Sequence, residues 1–156
     1  MDSIADIAYE LIVKMTDHKV MSLNRLIKLM YLVDWSASLN SQYKVKGLVW
    51  RHDYCGPKAD SIKLRLVEAD NIFAVRPRSA ESEILDVQLV ADEYKADISI
   101  FVSKAISHIE LIAKKKDWES LSLLVSSTFP MLASQMGEEL DLLMLANIYK
   151  KLQSNG

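Results

Sequence analysis

Apolar residues recur at spacings of three and four along most of this chain, and one run of them sets the frame for the rest. Between Ser22 and Leu39, the positions Leu23, Leu26, Ile27, Met30, Val33 and Ala37 fall on one stripe of a 3.6-residue helix. Ser22 suits the N-cap of that helix, and Met21 before it can pack back onto Leu26. Upstream, Ser3 with Asp6 three residues on predicts an earlier helix start. Ile4, Ile7, Ala8, Leu11, Ile12 and Met15 carry that stripe to an end near His18. These two helices are expected to form an antiparallel pair. After the polar break at Asn40, Ser41 and Gln42, the run Val45, Leu48, Val49 and Trp50 predicts a strand over 44–51, stopped by Gly56-Pro57. Pro57, with Lys58, Ala59 and Asp60 following, predicts a third helix to about Glu68, while the alternation of Ile62, Leu64 and Leu66 suits a strand equally.

The pattern then changes period. Ile72, Phe73 and Val75 predict a short strand, and Leu85, Val87 and Leu89 alternate with Asp86 and Gln88 to predict another across the polar connection RPRSAESE. From Asp92 to Lys116 the helical period returns, with Tyr94, Ile98, Phe101, Val102, Ala105, Ile109 and Ile112 on one face and Lys114 to Lys116 set against the negative helix end. Asp117 predicts the cap of a short helix to Val125. Phe129-Pro130 interrupts it, and Gly137 with Glu138 and Glu139 precedes a last helix carrying Leu140, Leu143, Met144, Ala146, Ile148 and Leu152. The expected class is α+β, mainly α-helical: one domain over 1–156, of about six helices with a small antiparallel sheet of about three strands inserted after the second helix.

Composition narrows the function classes more than it names one. A chain of 156 residues, half of them hydrophobic and a quarter charged, can bury one full core. The net charge of -2 supplies no general pull toward nucleic acid or acidic lipid. The single Cys55 allows no intrachain disulfide, which suits a reducing compartment, and the acidic start MDSIADIAYE is unlike an export signal. No apolar run approaches the ~20 residues that a membrane span needs. The expected location is the cytoplasm, with no membrane partner.

Candidate chemistry is sparse. Glycines stand only at 47, 56, 137 and 156, so neither a dinucleotide-binding GxGxxG nor a P-loop can form. His18, His52 and His108 lack zinc-site spacing. Arg51-His52-Asp53-Tyr54-Cys55 places a thiol, an imidazole and a carboxylate within five residues, but neighbours on an extended segment point to opposite faces, and the segment reads better as a polar turn. No catalytic residue, metal or cofactor is expected. A nucleic-acid-binding regulator would use Arg25 and Lys28, or the Lys114 to Lys116 cluster, as phosphate contacts; the acidic chain disfavours it. The aromatics say more. Trp50 belongs in the core, whereas Trp35 lies beyond the main apolar stripe beside Asp34, where it is expected to be half-buried with an edge free, as residues that anchor protein interfaces often are.

At the level of ordered motifs, Leu26-x-Lys28-Leu29-x-Tyr31-x-x-Asp34, then Trp50, then Tyr54-x-Gly56-Pro57 resembles the Panacea domain, the SocA-like antitoxin family. The closing LLVSSTFPMLASQMGEELDLLMLANIYKKL is similar to that family's last segment, so the likeness spans most of the chain. It departs at Lys58, where valine is usual, in the Trp50 to Gly56 spacing, and in a closing loop without the usual histidine and tryptophan. The resemblance implies a bacterial or phage protein that neutralises a cognate toxin by direct binding, in some members as an adaptor delivering the toxin to a protease, with a protease or chaperone as a further partner. A homo-oligomer is compatible with it, and a phage or host-factor binding protein on the same scaffold is its variant. The partner-binding candidates are Lys28, Tyr31, Asp34, Trp35, Arg51, Tyr54, Gly56 and Pro57.

Overall fold

The computed structural model describes residues 1–155. Its elements run α1 (Ile4–Met15), β1 (Val20–Ser22), α2 (Leu23–Ser41), β2 (Trp50–Asp53), β3 (Gly56–Lys58), α3 (Ser61–Glu68), β4 (Phe73–Pro77), β5 (Leu85–Leu89), α4 (Ile100–Ala113), α5 (Trp118–Ser126), α6 (Phe129–Leu132), β6 (Glu139–Leu140) and α7 (Leu142–Ser154). The class is α+β and mainly helical. Two three-stranded antiparallel sheets stand where one was expected, in the orders β1-β5-β4 and β3-β2-β6.

Helix α2 is the axis of the molecule. It packs against α1, α4, α5 and α7, and from Lys28 to Ser38 every residue is buried. A helix buried all round needs no single apolar stripe, which is why Lys28, Tyr31, Asp34 and Trp35 stand off the stripe read from the sequence and are nevertheless interior. Its start follows local chemistry: the Arg25 N–H donates to Ser22 Oγ at 3.2 Å. Ser3 caps α1 in the same manner, donating its hydroxyl to Asp6 Oδ2 at 2.8 Å while accepting the Asp6 N–H at 3.0 Å.

Four expectations about elements are corrected. First, residues 44–49 are not strand. Their polar groups turn inward to Asp34 instead of forming a ladder, and Gly47 takes a left-handed φ of 84°. The strand begins only at Trp50. Second, Gly56-Pro57 does not end β2 and open a helix: Gly56–Lys58 returns as β3, pairing Arg51 with Lys58 and Asp53 with Gly56. Helix α3 starts after it, so the helical reading of 61–68 prevails over the strand.

Third, the long helix from Asp92 is shorter and begins at Ile100. The Ser99 N–H is taken by Asp2 Oδ1 at 2.7 Å, the Ser99 hydroxyl caps Val102, and the Asp97 carbonyl accepts the Asp2 N–H at 2.8 Å. This holds residues 97–99 extended. Fourth, Phe129-Pro130 is not a plain interruption. Pro130 sits in the first turn of the short α6, where its missing N–H costs nothing. Glu139–Leu140 then pairs with β2 as β6, Trp50 opposite Leu140, before α7 begins with an Asp141 cap.

Candidate functional site

The residues of the K-L-x-Y and Trp/Gly-Pro motifs, scattered over 26–57 in sequence, meet at one place: where α2 passes beneath the β2–β3 hairpin. Three of them act as braces. Asp34 is fully buried, and its Oδ2 accepts the Lys44 ammonium and the Trp50 indole N–H, the latter at 2.8 Å. Its Oδ1 accepts the Val45 N–H at 3.0 Å. Lys44 also donates to the Leu48 carbonyl at 2.6 Å and the Val45 carbonyl at 3.2 Å, so one carboxylate organises the whole approach to β2. Burial pushes the Asp34 carboxyl above its ordinary value, and the Lys44 charge and the hydrogen bonds pull against that.

Tyr31 lies edge-on to Trp50 with ring centroids 5.4 Å apart. Its hydroxyl is 2.7 Å from Thr128 Oγ1, and because Thr128 donates to the Val125 carbonyl, Tyr31 is the donor of that contact. Burial raises the Tyr31 pKa, keeping the phenol neutral. Trp35, expected to keep a free edge, is 7% exposed and packs edge-on to Tyr149 at 6.3 Å. Tyr31, Asp34 and Trp35 are therefore interior groups, and no partner can touch them while the fold is intact. Their place off the apolar stripe reflects a helix enclosed on all sides.

Lys28 is different. Its ammonium donates to the Cys55 carbonyl at 2.9 Å and sits 5.1 Å from the centroid of the Trp118 ring. Burial lowers its pKa, with the nearby Cys55 thiol opposing the shift. It lies at the meeting of two hollows. The larger, about 610 Å³, runs between the hairpin and α5 along His52, Tyr54, Trp118, Leu123 and Met131; the smaller, about 180 Å³, is bordered by Ile27, Pro57 and Trp118. Cys55 and Gly56 line both. Gly56 has a φ of 115°, and a Cβ there would stand 2.8 Å from the Lys28 Nζ. Gly56→Ala should then dislodge the ammonium from the Cys55 carbonyl and strain the turn. We expect a loss of about 1–3 kcal/mol in urea unfolding; an unchanged midpoint would refute this account of the glycine.

Arg51 does not line either hollow. It is exposed on the opposite side of β2, 3.9 Å from Asp60. Tyr54, at the hairpin tip, is 84% exposed, and Pro57 is buried beside the smaller hollow. Of the eight candidates, Lys28, Tyr54 and Gly56 line the larger hollow, and Pro57 joins Lys28 and Gly56 at the smaller one only. Trp118, Leu123 and Met131 complete the larger hollow and were not singled out in the sequence reading. A signal was present for Trp118, a large aromatic in the first turn of a short helix capped by Asp117, where no core face is yet established.

No family model matches this chain, nor does any curated protein or solved structure.

Arg25 and His52, named for other chemistries, are held by partners inside the fold. Arg25 donates to the Ala113 carbonyl at 3.4 Å and so closes the C-terminal end of α4. Burial also lowers the Arg25 pKa, opposed by Asp117. Of the cations named for phosphate contact, Lys114 and Lys115 are exposed, with Lys114 4.0 Å from Glu110. For thiol chemistry, His52 is bound elsewhere: its Nδ1 is 2.7 Å from Ser134 Oγ, which itself donates to the Pro130 carbonyl, so Nδ1 carries the proton. Among the described residues no hydrogen bond joins His52 to Cys55, and no three His, Cys, Asp or Glu side chains group as metal ligands. No helix among them is long and apolar enough to cross a membrane.

Proposed function

We propose that this chain is an antitoxin-like protein of the Panacea type, which neutralises a cognate toxin by direct binding through the groove between the β2–β3 hairpin and α5. One observation carries the reading: large side chains with apolar surface stand exposed around a single groove. Tyr54 is 84% exposed and Leu123 67%, with Trp118 half-exposed between them. Isolated exposed apolar residues are ordinary, but aromatics gathered at a concave site are the usual anchors of protein interfaces. The order of the family-like motifs supports the same reading, because the residues that shape the groove floor, Lys28 and Gly56, belong to them. Occlusion of the toxin's working surface is the simplest mechanism. Delivery of the bound toxin to a protease is the same surface with a second partner.

Coexpression tests it. A small unrelated gene found beside this one, expressed alone, should arrest growth, and the present chain should relieve the arrest. Tyr54→Ala with Leu123→Asp should weaken binding by about 2 kcal/mol or more while stability stays within about 0.5 kcal/mol. Absence of rescue by the unaltered chain, or full rescue by the double variant with unchanged affinity, would remove the reading.

A further inference from the structure

Lys28 holds more donor capacity than the fold uses. The residue is 5% exposed, yet its only hydrogen bond among the described residues is to the Cys55 carbonyl. An ammonium has three N–H donors. The Trp118 ring face attracts the charge without neutralising it, and no carboxylate of the described residues lies within 4.0 Å of Nζ. The nearest candidate by position, Asp53, is held by its own hairpin: it accepts the Tyr54 N–H at 2.8 Å and faces Lys58 Nζ at 3.9 Å. A largely covered cation with no counter-ion of the chain's own keeps its remaining donors for a group that enters the hollow it borders. Asp34, nearly two turns along the same helix, shows the alternative, a buried charge with its partner supplied by the chain itself.

We propose that the groove is a receptor for one carboxylate of a partner polypeptide, carried next to an apolar side chain, with Lys28 as its counter-ion and Trp118 as its wall. This rests on the partner-binding reading above and specifies what that partner presents. Charge complementarity selects the occupant. The two hollows meet at Lys28, so an acidic side chain entering there reaches the unused donors while its neighbour lies against Leu123, Val125 and Met131. Asp53 and Glu119 line the larger hollow, and the whole chain carries -2. A polyanionic nucleic-acid strand would meet both carboxylates, whereas a single carboxylate meets the cation with little added repulsion.

The test is an NMR titration of the whole chain with acetyl-Leu-Glu-Leu-amide and, separately, acetyl-Leu-Gln-Leu-amide, with inorganic phosphate as a third probe. The Glu peptide should shift the amides of Cys55 and Gly56 and the Trp118 indole, binding about tenfold more tightly than the Gln peptide. Lys28→Met should abolish that difference. Should Lys28→Met fail to fold, the Glu and Gln pair on the unaltered chain decides alone. Equal affinities, shifts confined to other surfaces, or phosphate displacing the Glu peptide would each overturn the proposal. Growth rescue alongside equal peptide affinities would remove the carboxylate anchor and leave toxin binding standing; a clear Glu preference without rescue would do the reverse.

Discussion

Asp34→Ala destabilises the protein by about 3 kcal/mol, the expected cost of removing a buried carboxylate that accepts three donors, one of them the partly exposed Lys44 ammonium. The carboxylate is fully buried and receives three donors, so the substitution leaves the Lys44 ammonium, the Val45 N–H and the Trp50 indole N–H without their acceptor. These lie on the loop that leads from α2 to β2 and on the first residue of that strand. The loss is therefore concentrated where the hairpin and the groove are positioned. Urea unfolding measures it, and a cycle separates its parts. Asp34→Leu with Lys44→Met removes both charges and should recover the ion-pair share, while the unpaired Val45 and Trp50 groups keep the double variant below the parent. A loss under about 1 kcal/mol for Asp34→Ala would show that the site admits water and that Asp34 is not the organising group.

The second large effect concerns the two tryptophans of the α2 neighbourhood. Trp50→Ala and Trp35→Ala should each cost about 3–5 kcal/mol, because both rings are buried and both leave cavities. At about 2–4 °C per kcal/mol for a chain of this size, either variant should melt about 6–20 °C below the parent. Trp50→Ala should be the worse, since it also takes a donor from Asp34 and a ring from Tyr31. Position 35 decides between anchor and core. If Trp35→Ala melts like the parent but loses partner affinity, the ring is an interface residue and its packing on Tyr149 is incidental; if it melts low and retains affinity when folded, it is core.

Much of the architecture was legible along the chain. Ser3, Ser22 and Asp117 marked helix starts through local capping chemistry, a short β-rich run located β4, and period-2 alternation located β5. Errors came where a distant group overrode a local preference. Residues 92–99 have helical periodicity, but Asp2 takes the Ser99 N–H from 97 positions away. Val45 to Val49 have strand propensity, but the Lys44 and Val45 donors are claimed by Asp34. Strand β1 is three residues long and exists because β5 offers it an edge, Met21 opposite Val87. Nothing in Val20-Met21-Ser22 alone separates a strand from a linker.

The candidate site divides along the same line. By itself the sequence determined which residue types were out of place on an amphipathic helix, namely Lys28, Tyr31, Asp34 and Trp35, and that Gly56 stood at a turn. Hydrophobic period and the scarcity of glycine suffice for that, since both are local properties. Only the tertiary structure decided what the misfits do. Enclosure of α2 on every side sends Tyr31, Asp34 and Trp35 to partners inside the fold, while the hairpin and α5 meet over Lys28 and leave its ammonium facing an open hollow. The physical reason is that burial belongs to a position's surroundings. Four residues a few positions apart on one helix differ in role because different elements cover them.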